Sequence, residues 1–309
     1  GRTRLFQPGE VYRQARGAYP TAAQPARPQF QFYLAKAPKQ PVQLQILDAQ
    51  GNTIRTEKLQ AHQGLNGAYW DLFYDTPTDV RLLTTPPENP HIWDEPRYQG
   101  KTYRTIIHWG VNPHTGTPIA APGNYQVRLT VDGRSYTQPF TVVKDPKIKS
   151  SDAVLNDSTA MQVQIADAIS ETSDMVNTME TWRKQIEDQS KTHASGATAD
   201  ALRHLDAQIL EVENQLVSPE ARLSDDKQYS TPFRMYWNLR WLAGRVGQGI
   251  QNTAGGSDYA PTVVQRNNFA DLQAKLGTAR TGFEKLKTAT VPAFNRDMRD
   301  NGVKIDVGG

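Results

Sequence analysis

The stretch Ala121–Asp152, "APGNYQVRLTVDGRSYTQPFTVVKDPKIKSSD", holds the change of pattern that decides the fold. Tyr125, Val127, Leu129 and Val131 alternate with polar residues, the period of a strand buried on one face. Asp132-Gly133 then predicts a tight turn with Gly133 at positive φ, and Tyr136, Phe140 and Val142 carry the pattern back along a second strand. After Asp145-Pro146 the alternation stops. Met161, Ile165, Ile169, Thr172, Val176, Met179, Arg183 and Ile186 recur every three or four positions, broadened by Ala168, Met175 and Trp182, so a long amphipathic helix is expected over residues 152–190. A change of hydrophobic period from 2 to 3.6 calls for two kinds of packing layer.

Upstream of this stretch the strand pattern repeats. Phe30, Phe32 and Leu34 share one face, Val42, Leu44 and Ile46 alternate, and "DAQGN" turns the chain into "TIRTEKL". "GAYWDLFY" places Trp70 where a core residue belongs. These runs predict an antiparallel Ig-like β-sandwich of about seven strands over residues 28–145. Residues 1–27, rich in proline and small residues, read as an extended linker or strap. Residues 75–122 are too long for an ordinary sandwich loop and read as an insert stiffened by proline and aromatic residues.

Downstream, Thr198 caps a second helix carrying Leu202, Leu205, Ile209, Val212 and Leu216. Thr231-Pro232 starts a third with Met235, Leu239, Leu242, Val246 and Ile250. Pro261 opens a fourth with Val264, Phe269, Leu272, Leu276, Phe283 and Leu286, interrupted at Pro292. Short loops between four helices predict an up-down four-helix bundle over residues 150–300, with 301–309 as a tail. The expected fold class is therefore α+β and multidomain: the sandwich, then the bundle.

The 309 residues carry a net charge of +3 and no cysteine, which excludes disulfides, thiolate metal sites and a cysteine nucleophile. Mean hydropathy is −0.65, and no apolar run approaches the roughly 20 residues of a membrane span. Residues 1–150 hold eighteen Lys and Arg against eleven Asp and Glu, whereas 151–309 hold seventeen against twenty-one. The basic excess lies in the N-terminal arm without a compact patch of interleaved aromatics, so no nucleic-acid partner is expected.

No catalytic constellation emerges. His91, His108 and His114 lie near Asp94 and Glu95 in irregular spacing, and the Glu-x-x-His pairs of a di-metal bundle are absent, so no metal or cofactor is expected. There is no G-x-S-x-G elbow and no phosphate loop. Asp71 and Asp75 flank Phe73 as the one pair of carboxylates with a glycosidase-like placement. The candidate binding surface is the aromatic insert, through Trp93, Tyr98, Tyr103, His108 and Trp109, because stiff aromatic loops suit recognition.

The linked segments "RLFQPGEVYR", "YWDLFYD", "PGNYQVRLTVDGRSYTQPFTVVKDPKI" and "VPAFNRDMRDNG" resemble the C-terminal part of large exported bacterial proteins with sortilin/VPS10-like, BNR-repeat β-propellers, often labelled glycosyl-hydrolase-like. That resemblance implies a FlgD-type Ig-like sandwich followed by helices and a periplasmic or extracellular location. It also implies a β-propeller or other protein subunits as partners. Any hydrolase activity would lie in the propeller, and no catalytic residue of it maps onto this chain. The expected function is a non-enzymatic structural or interaction module. The alternatives are a carbohydrate- or peptide-binding accessory module using the insert, and a hydrolase-associated domain.

Overall fold

The computed structural model describes residues 2–13, 29–106, 116–218, 233–248 and 258–307. They fall into two compact units interleaved along the chain. The first comprises Gly1–Thr76, Gly116–Ala166 and Ala243–Thr262, and the second Pro77–Thr115, Asp167–Leu242 and Val263–Gly309.

The first unit is built on two sheets. β1 (Arg4–Leu5), β3 (Phe30–Leu34) and β6 (Gly64–Ala68) form a three-stranded antiparallel sheet in the order β1-β3-β6. β2 (Val11–Arg13), β4 (Val42–Leu47), β5 (Thr53–Leu59), β7 (Gly123–Val131) and β8 (Arg134–Lys144) form a five-stranded sheet in the order β2-β8-β7-β4-β5. β2 runs parallel to β8, and the remaining pairs are antiparallel. The sheets curl as a half-barrel around one apolar cluster, in which Phe30, Phe32 and Leu34 meet Val42, Leu44, Ile46, Val127 and Leu129. Trp70 fills its centre at 1% exposure, with Tyr125 and Phe140 edge-on at 5.8 and 6.1 Å and its indole Nε1 donating to the Phe73 carbonyl at 2.8 Å. At the hairpin tip Asp132 and Gly133 lie at φ 47° and 83°, the two left-handed residues that a type I′ turn requires. Arg13, fully buried at the end of β2, donates to the Ala120 carbonyl at 3.0 Å and to Asp258 at 3.1 Å.

The second unit is helical. α1 (Asp152–Thr192) begins in the first unit and passes into the second at Asp167. α2 (Ala197–Leu216), α3 (Met235–Ala243), α4 (Val263–Lys285) and α5 (Val291–Asp297) follow. A π turn at Leu286–Thr290 joins α4 to α5, with Pro292 in the first turn of α5. Trp182 of α1 stacks on Phe283 of α4 at 5.6 Å with the rings 6° from parallel.

The expectation of an antiparallel Ig-like sandwich followed by an up-down four-helix bundle is therefore corrected. The sheets have three and five strands with one parallel pair, and they form a half-barrel. The helices do not stand after it as a separate bundle: α1 starts inside the strand unit, and the helical unit takes in Pro77–Thr115, a segment from the middle of the strand region. The cause is that α1 satisfies a non-helical partner as well as its helical neighbours.

Candidate functional site

That partner is residues 78–85, an extended strap laid along α1. The Thr78 N–H donates to Ser170 Oγ at 3.2 Å, and the Arg81 N–H donates to Asn177 Oδ1 at 2.7 Å. Asn177 Nδ2 returns a bond to the Asp79 carbonyl at 3.0 Å. The N–H groups of Leu83 and Thr84 both donate to Glu180 Oε2, and the Thr84 hydroxyl donates to Oε1 at 2.9 Å. The Thr85 N–H reaches Glu187 at 2.8 Å. The spans match: from Ser170 to Glu187 a helix rises about 25 Å, and from Thr78 to Thr85 an extended chain covers about 23 Å. Helix side chains here take the place of a neighbouring strand. On the strap's other side, Leu82 exchanges two backbone bonds of 2.8 Å with Arg104, and Asp79 accepts from Arg240 and Tyr236 of α3.

Glu180 is the centre of this arrangement. It is fully buried, as is Glu213 of α2. Arg183 Nη1 bridges them at 3.0 and 3.1 Å while its Nε binds Asp206 at 2.8 Å. Burial, and secondarily the Glu213 charge, push the Glu180 carboxyl up to about 7. Glu180 thus has the raised pKa that a general acid needs, but its oxygens are engaged by strap donors and Arg183.

The aromatic insert has the same inward character. Arg104, 2% exposed, lies over Trp93 at 5.4 Å and over Tyr98 at 5.8 Å, and Trp93 and Tyr98 meet edge-on at 6.5 Å. The Trp93 indole donates to Thr85 Oγ1 at 2.9 Å, locking the insert onto the strap. Tyr98 is buried, and Tyr103, 38% exposed, is covered on one face by Arg81. His108 and Trp109 lie outside the described residues. The structure thus brings Trp93 and Tyr98 together as packing around Arg104 and leaves Tyr103 at the surface.

Other sequence candidates have structural partners. Asp71 accepts from the Phe73 N–H at 2.9 Å and Asp75 from the Thr56 N–H at 3.2 Å, so each carboxylate has its own backbone donor. His91 pairs with Asp94 at 3.3 Å on the surface, and among the described residues no group of three or more His, Asp or Glu could hold a metal ion. A groove between α1 and α4, lined by Asp167, Glu171, Asp174 and Lys287, is spanned by the Glu171–Arg280 ion pair.

An accessible apolar surface sits on the outer face of the three-stranded sheet. Register puts Arg4, Tyr33 and Leu65 in one row across β1, β3 and β6, with Gln31 and Gly67 in the next. Along β6, Leu65, Gly67 and Tyr69 point out while Ala68 and Trp70 point in, as strand alternation requires. Leu65 is 60% and Tyr69 51% exposed, and Arg4 lies over the Phe6 ring at 5.4 Å beside them. Asn66 stiffens the approach to β6, bonding the His62 N–H and the carbonyls of His62 and Gly64. β6 ends the sheet, so this apolar row lies at an edge. In the sequence this surface is the outward half of strands whose inward half carries the core pattern, so alternation alone does not mark it.

Comparison with protein-family models, curated proteins and solved structures yields no match.

Proposed function

We propose that this chain is a non-enzymatic interaction module that binds a protein partner through the outer face of the β1-β3-β6 sheet. The observation carrying this reading is the exposed pair Leu65 and Tyr69 on the outer face at a stiffened sheet edge, with half-buried Tyr33 opposite Leu65. Such a row loses hydration cost when another protein covers it, and aromatic residues are enriched where interfaces are buried. The engagement of Glu180 by internal donors supports a structural role for the most perturbed carboxyl among the described residues. The resemblance described above makes a β-propeller of an exported bacterial protein the first partner to try.

A photo-reactive amino acid at position 65 or 69 tests the proposal in the producing cell, with position 275 on α4, also exposed, as control. Cross-links to one defined protein from 65 and 69, absent from 275, are expected. Equal cross-linking from all three positions overturns the reading, as does turnover of glycosides or peptides by the purified chain.

A further inference from the structure

We propose that the chain reversal after α5 forms a binding site for a small phosphomonoester, a ligand separate from the protein partner at the sheet edge. α5 ends at Asp297, and a 3-10 turn, Arg299–Asn301, follows it. Gly302, at φ 69°, takes the left-handed conformation that closes the turn and sends the chain back. Residues of both limbs line a cleft of about 400 Å³: Asn295, Arg296, Arg299, Gly302, Val303 and Lys304. That volume lies in the range of small-molecule sites. Two side-chain amides fix the returning limb. Asn295 Nδ2 donates to the Ile305 carbonyl at 2.7 Å, and the Ile305 N–H donates to Asn295 Oδ1 at 2.8 Å. Gln185 of α1 holds Asp306 in the same way, at 3.1 and 2.7 Å. Val303 and Ile305 are buried on either side of Lys304, so its backbone is anchored while its side chain stays at the surface.

The charge around the cleft is one-sided. Its lining holds three cations and no carboxylate, and Asp297, Asp300 and Asp306 of the same segment are exposed outside it. Among the described residues Arg296, Arg299 and Lys304 make no ion pair. Elsewhere in the helical unit even exposed arginines are paired, Arg203 with Asp200 and Arg280 with Glu171. A helix-end role accounts for Arg296 and Arg299, since cations oppose the dipole there, but not for Lys304, which lies beyond the reversal. A phosphoryl group brings about two negative charges and three acceptor oxygens, and guanidinium forks pair with it through two parallel bonds. A carboxylate brings one charge and satisfies one arginine. The cleft has room beyond a single phosphoryl group, and Val303 with the stems of the basic side chains gives that room an apolar wall.

Calorimetric titration of the full chain with phenyl phosphate at about pH 7.5, where the phosphoryl group is largely a dianion, tests the site. One saturable site is expected, at least about tenfold tighter than for benzoate. Arg299→Gln and Lys304→Gln should each weaken it about tenfold. Lys275→Gln, which removes the same charge from α4, should leave it unchanged. The proposal is overturned if phenyl phosphate shows no saturable binding tighter than about 10 mM, or if benzoate binds equally well. It also fails if Lys275→Gln weakens binding as much as the cleft variants, which would mean diffuse surface attraction. Retention on phosphatidic acid vesicles without binding of phenyl phosphate overturns it as well, because the target is then a membrane surface.

Discussion

The half-barrel and the helical unit keep different things in their interiors. Around Trp70 the strand unit packs Phe30, Phe140, Tyr125 and aliphatic side chains, which attract through contact and through water released, with Arg13 buried at the end of β2 against the Ala120 carbonyl and Asp258. Around Trp182 the helical unit buries Glu180, Glu213, Arg183, Arg104 and Arg240 beside its apolar residues. An apolar interior loses stability in proportion to volume removed. A charged interior is a set, in which deleting one member leaves the others unpaired in a poor dielectric.

The comparison can be broken first at Trp70. Trp70→Ala empties the middle of the half-barrel and should cost about 3–5 kcal/mol. Chemical denaturation followed by circular dichroism measures it, and a loss under about 1 kcal/mol would mean that the site collapses around the smaller side chain.

Arg183 sharpens the contrast. Arg183→Met keeps most of the volume but removes the guanidinium that bridges Glu180 and Glu213, and should destabilise the helical unit by about 3 kcal/mol at pH 8. Less is lost at pH 5.5, where Glu180 takes up a proton. Adding Glu180→Gln and Glu213→Gln to the same chain should return most of the loss. If the triple variant is as unstable as the single one, the interior of this unit depends on shape and hydrogen bonds, and charge balance is secondary.

The smallest effect is local. Gly133, at φ 83°, sits in a region that a β-branched side chain enters only at a cost of about 1–2 kcal/mol. Gly133→Val should lower the denaturation midpoint of the half-barrel by that amount and leave the strap's exchange protection as it was. A change in the strap would show that the two interiors are not independent.

Legibility in the sequence divides along the same line. The β7–β8 hairpin, the burial of Trp70 and a long helix from Asp152 follow from period and turn chemistry, because each is set by near neighbours. The strands β1 and β2 escaped notice, since two or three residues are too few to show alternation and they borrow partners far along the chain. The strap escaped for another reason. It bonds through backbone N–H groups, which every residue except proline carries, so its own sequence holds no mark of the helix it lies on. The one available signal was on α1, where Ser170, Asn177, Glu180 and Glu187 repeat at seven, three and seven residues beside the apolar stripe. Read alone, that row passes for a solvated face.

The sequence by itself determined the turn at Asp132-Gly133, the alternation that buries Trp70, the switch of period after Pro146 and the length of α1, because local geometry and hydrophobic spacing act over a few residues. Only the tertiary structure decided the rest. It curled the strands into a half-barrel, gave Pro77–Thr115 to the helical unit, turned Trp93 and Tyr98 inward around Arg104, and closed Glu180 beneath the strap. Those outcomes depend on which distant groups meet, and a buried carboxylate is stable only where all of its partners arrive together.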